Sequence, residues 1–138
     1  MIAPYFTDAE LERARALTAA QPPPPRAGST AVWPLVVEAA AIGGVSALPK
    51  VQRLVAADMV ARDEFGSAKY RQPLTAECGR DFLVDAYQEA LDQAVYLRAA
   101  VLDPANMAFI GKLASLCERC FATLLDLRRM IAERDGEL

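Results

Sequence analysis

At 138 residues, 54% of them hydrophobic, the chain has the length and apolar content for one domain built on one core. Charged residues make up 24% and the net charge is -3, so no global positive field is available to hold nucleic acid by its phosphates. No apolar run approaches the roughly 18 residues that span a bilayer, Met1 to Glu10 lacks a basic region followed by an apolar stretch, and three cysteines suit a reducing compartment, so a soluble cytoplasmic protein is expected.

Thr7 followed by Glu10 has the spacing of a capping box, and Asp8 to Ala20 is rich in helix formers, which predicts a short N-terminal helix. That helix stops before Pro22 to Pro25, a proline run that favours an extended path and reads as a linker or arm. Ala31 to Ala41, with Trp33, Pro34 and Val36, predicts a short helix or ordered strap ending at Gly43 and Gly44. With Ser46 as a cap and Pro49 in the first turn, a long helix runs from about Leu48 to Ala68, its apolar residues Val51, Leu54, Val55, Met59 and Val60 spaced at three and four. Tyr70 to Gly79 lacks a sustained period and reads as a loop. A helix follows from near Arg80 to about Leu102, and a last one from about Ala105 to Glu133 carries Phe109, Leu113, Leu116, Phe121, Leu124 and Leu127 on a recurring face before Gly136. No segment alternates as a strand does. The fold class expected is all-α, a helical bundle of about four helices: residues 1–30 form the N-terminal helix and proline-rich arm, and residues 31–138 the helical domain.

At roughly 100° per residue, Asp81, Asp85, Glu89 and Asp92 fall within an arc of about 80° on one helix. The plain alternative is a solvated acidic face, the commonest fate of charges on a helix. Two features favour a cation instead. No Lys or Arg lies three or four residues from these acids within the helix, so along the helix they only repel one another. The remaining surface is apolar nearly all round (Leu83, Ala86, Ala90, Ala94 and Leu97 opposite, Val84, Leu91, Val95, Phe82 and Tyr96 at the flanks), which predicts a buried helix whose carboxylates protonate or bind cations. Oxygen-only ligation in a chain without histidine points to Mg²⁺ or Mn²⁺ rather than Zn²⁺.

Gln88-Glu89-Ala90-Leu91-Asp92 followed by Tyr96-Leu97 resembles the E-x-x-D helix of the MazG-like all-α nucleoside triphosphate pyrophosphatases. Upstream, Asp58-Met59, Arg62, Phe65-Gly66, Lys69-Tyr70, Pro73-Leu74 and Gly79-Arg80-Asp81 resemble a phage-encoded branch, in which a D-M-x-x-R helix leads into a Y-G-x-P-L loop and then G-R-D. The resemblance covers about Val55 to Arg98. It implies hydrolysis between the α- and β-phosphates of a nucleoside triphosphate, with Mg²⁺ bridging carboxylates and phosphates, in a homo-oligomer such as a homodimer or homotetramer. Glu89 and Asp92 are then the catalytic acids, Asp58, Asp85, Glu89 and Asp92 the metal ligands, and the phage branch implies a host-cytoplasmic role in adjusting the dNTP pool, with purine substrates such as dGTP or dATP. Two departures stand out. The family's first acidic pair falls at Asp58 and Ala61, so one acid is missing, with Asp85, Asp63 or Glu64 as candidates to replace it. Arg71 stands where the phage branch has glycine after the tyrosine.

Arg62, Lys69 and Arg80 are candidates to hold phosphates, by guanidinium forks or an ammonium point charge, or else to pair with the acidic stripe. Tyr70 is a candidate to stack on a base, against simple packing. Cys117 and Cys120 form a lone C-x-x-C that reads as two half-buried helix residues before it reads as a zinc or redox site. Trp33 and the proline run either anchor a neighbouring subunit or wrap their own core. The competing reading of the whole chain is a non-catalytic helical interaction protein whose acidic stripe meets a basic partner.

Overall fold

Residues 5–42 and 49–138 are described by the structure, a computed structural model. Their regular elements are all helical: α1 (Asp8–Thr18), α2 (Val32–Ile42), α3 (Pro49–Tyr70), α4 (Phe82–Leu102) and α5 (Ile110–Arg134), with a 3₁₀ helix (Pro104–Phe109) between the last two. The all-α expectation holds, with five α-helices rather than about four. An isolated antiparallel bridge joins Ala31 to Thr75. None of the described helices is long and apolar enough to cross a membrane. The cap expected at Ser46, and Gly43 and Gly44, lie outside the described residues.

The chain divides into two compact units, Met1–Gln21 with Asp81–Leu138, and Pro22–Arg80. In the first, α1 starts with the expected capping box: the Thr7 side chain accepts from the Glu10 amide and the Glu10 carboxylate accepts from the Thr7 amide. Leu17 of α1, Val84 of α4 and Ile131 of α5 form the core, with Leu83 and Tyr87 packed against it. Ile131 is fully buried, and removing such a side chain from water stabilises the fold by about 1.5–3 kcal/mol. α4 and α5 form an antiparallel hairpin, seen where the Cys120 thiol, midway along α5, reaches the Ala90 carbonyl of α4 at 3.6 Å.

The sequence placed the start of the last helix at Ala105. Instead Pro104–Phe109 is 3₁₀, because Asp103 caps a tight turn, its side chain accepting from the Ala105 amide at 2.9 Å, and Pro104 supplies the first residue. α5 ends at Arg134, and Gly136 follows its end as expected, with a left-handed φ of 71°. The Gly136 amide then reaches the Glu133 carbonyl and the Glu137 amide reaches Ala132, satisfying two terminal carbonyls.

The second unit holds α2, α3 and the chain on either side of them. The segment after the proline run lies antiparallel to residues 74–78. Val32 donates to the Leu74 carbonyl at 3.0 Å, Ala76 to Thr30 at 2.8 Å, and Arg26 to Cys78 at 3.3 Å. The arm is thus bound to the loop that follows α3.

Candidate functional site

Asp81 is not a helix residue but the N-cap of α4, its carboxylate accepting from the Val84 amide at 3.1 Å. A carboxylate there satisfies an orphan donor and meets the positive end of the helix. It is also paired: Arg134, from the far end of α5, stands 2.9 Å away. The Arg134 guanidinium holds the Asp81 carboxyl below the usual carboxylate range. The repulsion along the helix is offset at Asp81 by a tertiary partner, a cation that helix spacing did not show.

Asp85 is engaged as well. Gln21, just after α1, donates to its carboxylate at 2.6 Å and to the Asp81 carbonyl at 2.8 Å, while accepting from the Asp81 amide at 2.9 Å. Gln88 ties the same end of α4 to α1 by donating to the carbonyls of Leu17 and Ala19. The first turn and a half of α4 is thus a structural anchor.

Glu89 and Asp92 differ. Both are exposed, and among the described residues neither has a hydrogen-bond or ion-pair partner. Three residues apart, they are neighbours on one face of α4, and the exposed ring of Tyr96, four residues beyond Asp92, extends that face. Sequence spacing predicted this alignment but not its setting. α4 is not buried all round: Val95 and Tyr96 are 66% and 71% exposed, because α5 and α1 cover one side only. Desolvation is therefore not what would draw a cation to Glu89 and Asp92.

The remaining predicted residues belong to the second unit. Asp58 is exposed on α3, near the middle of the helix. Asp63 lies one turn further on and accepts from the Ser67 hydroxyl at 3.2 Å. Arg62 lies over the Phe65 ring at 5.4 Å, and Lys69 over the Tyr70 ring at 5.0 Å. Both cations thus make cation-π contacts within α3. Arg80 closes this unit and is half-buried. Arg71 has a φ of 57°, the left-handed conformation that glycine adopts at least cost.

Among the described residues no group of three or more acidic, cysteine or histidine side chains is gathered closely enough to hold a metal ion by itself. Mg²⁺ asks for less, since it is usually bound through one or two carboxylates, with waters and substrate phosphates completing the shell. Glu89 and Asp92 are two exposed carboxylates on one face of α4. Cys117 and Cys120 are free thiols, the first half-buried and the second buried, as expected of helix residues that pack. No family model, curated protein or solved structure matches this chain.

Proposed function

We propose that this protein hydrolyses nucleoside triphosphates to the monophosphate and pyrophosphate with Mg²⁺ or Mn²⁺, acting as a homo-oligomer on (deoxy)nucleotides such as dGTP or dATP. The observation that carries the reading is the pair Glu89 and Asp92: two exposed, unpartnered carboxylates one turn apart on a helix whose start is anchored by Asp81, Gln21 and Gln88. A rigid helix is a good base for metal ligands, since it holds them at fixed separation. The order of the resembling residues supports it too, with Asp58 and Arg62 on α3, Lys69 and Tyr70 at its end, and Arg80 leading into α4.

In this reading Glu89 and Asp92 hold the cation, with Asp58 and Asp85 as further ligands. Bound there, the cation would neutralise phosphate charge and lower the pKa of a bound water. A neighbouring carboxylate, Glu89 or Asp92, would accept the proton of that water. Arg62, Lys69 and Arg80 would meet the phosphates and Tyr70 the base. Self-association fits the exposed apolar surface of the α4–α5 hairpin, where Phe121 and Leu125 are 60% and 58% exposed.

The test is pyrophosphate release from each NTP and dNTP with Mg²⁺ or Mn²⁺. Turnover that Glu89→Gln abolishes is the expected result. No release from any nucleotide at any metal level would sink the proposal and leave the acidic face as a docking surface for a basic partner.

A further inference from the structure

The loop that joins α3 to α4 starts directly after Tyr70, the last residue of α3, and carries Arg80 near its other end; it has no helix or strand of its own. Its conformation is held by the segment after the proline run. Besides the three backbone bonds already given, the Gly28 amide donates to the Thr75 hydroxyl at 2.9 Å and Arg26 Nε donates to the Glu77 carbonyl at 2.9 Å. The Ser29 amide and hydroxyl both donate to the Glu77 carboxylate, at 3.3 and 2.5 Å. That double donation lowers the pKa of Glu77.

The approach is too close for most side chains. A Cβ on Gly28 would sit 1.5 Å from the Ala76 carbonyl oxygen, and one on Gly79 would sit 2.5 Å from the Pro25 ring. Two non-glycine residues of the same loop, Arg71 and Glu77, take left-handed φ values of 57° and 60°. Such conformations persist only where neighbours over-determine them. A run of four prolines before Arg26 favours an extended path, which lowers the chain entropy lost in seating this segment.

We propose that residues 25–32 are a positioning strap for nucleotide binding, with Gly28, Ser29 and Arg26 acting through Glu77 and Thr75 to hold Tyr70 and Arg80 in their binding geometry. The inference rests on the function proposed above. None of its residues is among those proposed above to hold metal or phosphate, so it sets the fraction of molecules whose loop is ready to bind. Apparent affinity falls by that fraction, while the bound complex turns over unchanged.

The experiment is steady-state turnover of dGTP and dATP with Mg²⁺ by the full chain and its Ser29→Ala, Ser29→Thr, Arg26→Ala and Gly28→Ala variants, each checked for helical content. Ser29→Ala and Arg26→Ala are expected to raise KM about tenfold, as when a loop is competent a tenth of the time. Their kcat should stay within about twofold of the wild type, and Ser29→Thr, which keeps the hydroxyl, should restore KM. Gly28→Ala should raise KM further. If Gly28→Ala fails to fold, the Ser29 and Arg26 variants decide. An unchanged KM in folded Ser29→Ala and Arg26→Ala overturns the strap while leaving the proposed function standing. Wild-type protein that turns over no nucleotide overturns both.

Discussion

Arg134, in the last turn of α5, reaches Asp81, the residue that caps the first turn of α4, at 2.9 Å. One carboxylate thus satisfies an α4 amide and ties the start of α4 to the end of α5, which lie side by side in the antiparallel hairpin. The two roles separate by substitution. Asp81→Ala should cost about 1 kcal/mol through loss of the cap. Asp81→Ser keeps a capping oxygen without the charge, and should recover most of that loss in urea unfolding. If alanine and serine are equally destabilising, the ion pair rather than the cap carries the residue's contribution.

The acid limb of stability follows from the same end of the molecule. Arg134 and Arg13 lower the Asp135 carboxyl, and Arg128 and Arg13 lower that of Glu137, while Asp81 is lowered by Arg134. A carboxyl whose folded pKa lies below its unfolded value takes up protons first in the unfolded chain, so stability falls as pH drops. Its contribution is complete above the unfolded values near 4 and is lost as pH falls through the lower folded values. The chain has no histidine, so no side chain of ordinary pKa changes its charge between about pH 5 and 8. A melting temperature that is flat from pH 8 to 5 and falls below pH 4 is expected. Arg13→Ala combined with Arg134→Ala should make that acid fall shallower.

Arg71 is a residue whose conformation suits a smaller one. At a φ of 57° a non-glycine residue carries about 1–2 kcal/mol of left-handed strain. Glycine removes it at an entropic cost of about 0.5–1 kcal/mol. Arg71→Gly should therefore raise unfolding stability by up to about 1 kcal/mol, and Arg71→Val should lower it. A destabilised glycine variant would mean that the arginine side chain contributes more than its backbone costs.

Much of this was legible in the sequence because it is local. The Thr7 and Glu10 box, the stop at the proline run, Pro49 at the start of α3, and Gly136 after α5 each depend on residues a few positions apart, and each stands where spacing placed it. The alignment of Glu89 with Asp92 belongs to the same class. What the sequence hid was pairing at long range. Asp81 finds Arg134 across 53 positions and Asp85 finds Gln21 across 64, so a stripe of four apparently unpartnered acids is reduced to two. The same is true of the strap, where Gly28 meets Thr75 across 47 positions with only a glycine to signal it. The apolar surround of α4 misled for a related reason. Pattern shows which faces can be buried, but not that α5 and α1 leave Val95 and Tyr96 uncovered.

The uncovered apolar surface leads to a prediction about assembly. Phe121 and Leu125 are one turn apart on α5 and mostly exposed, so replacing them leaves the core of Leu17, Val84 and Ile131 intact. Burying each against a second copy would stabilise association by about 1.5–3 kcal/mol. Phe121→Lys and Leu125→Lys should each weaken self-association at least about tenfold, with unchanged helical content, as read by light scattering across a dilution series. Variants that associate as the wild type does would exclude this surface from the interface.

The metal binding proposed at Glu89 and Asp92 can be tested without turnover. Both are exposed and unpartnered, so Glu89→Gln and Asp92→Asn should each change metal-free stability by less than about 0.5 kcal/mol. A cation that binds only the folded protein stabilises it by about 2.7 kcal/mol at a hundred times its dissociation constant. Wild-type melting should therefore rise by several degrees with Mn²⁺ and a non-hydrolysable nucleotide, and the rise should vanish in either variant. If Asp58→Asn alone removes it, the ligands lie on α3 and the α4 pair serves another purpose. If Asp58→Asn weakens it and the α4 variants abolish it, α4 supplies the principal ligands and α3 an additional one.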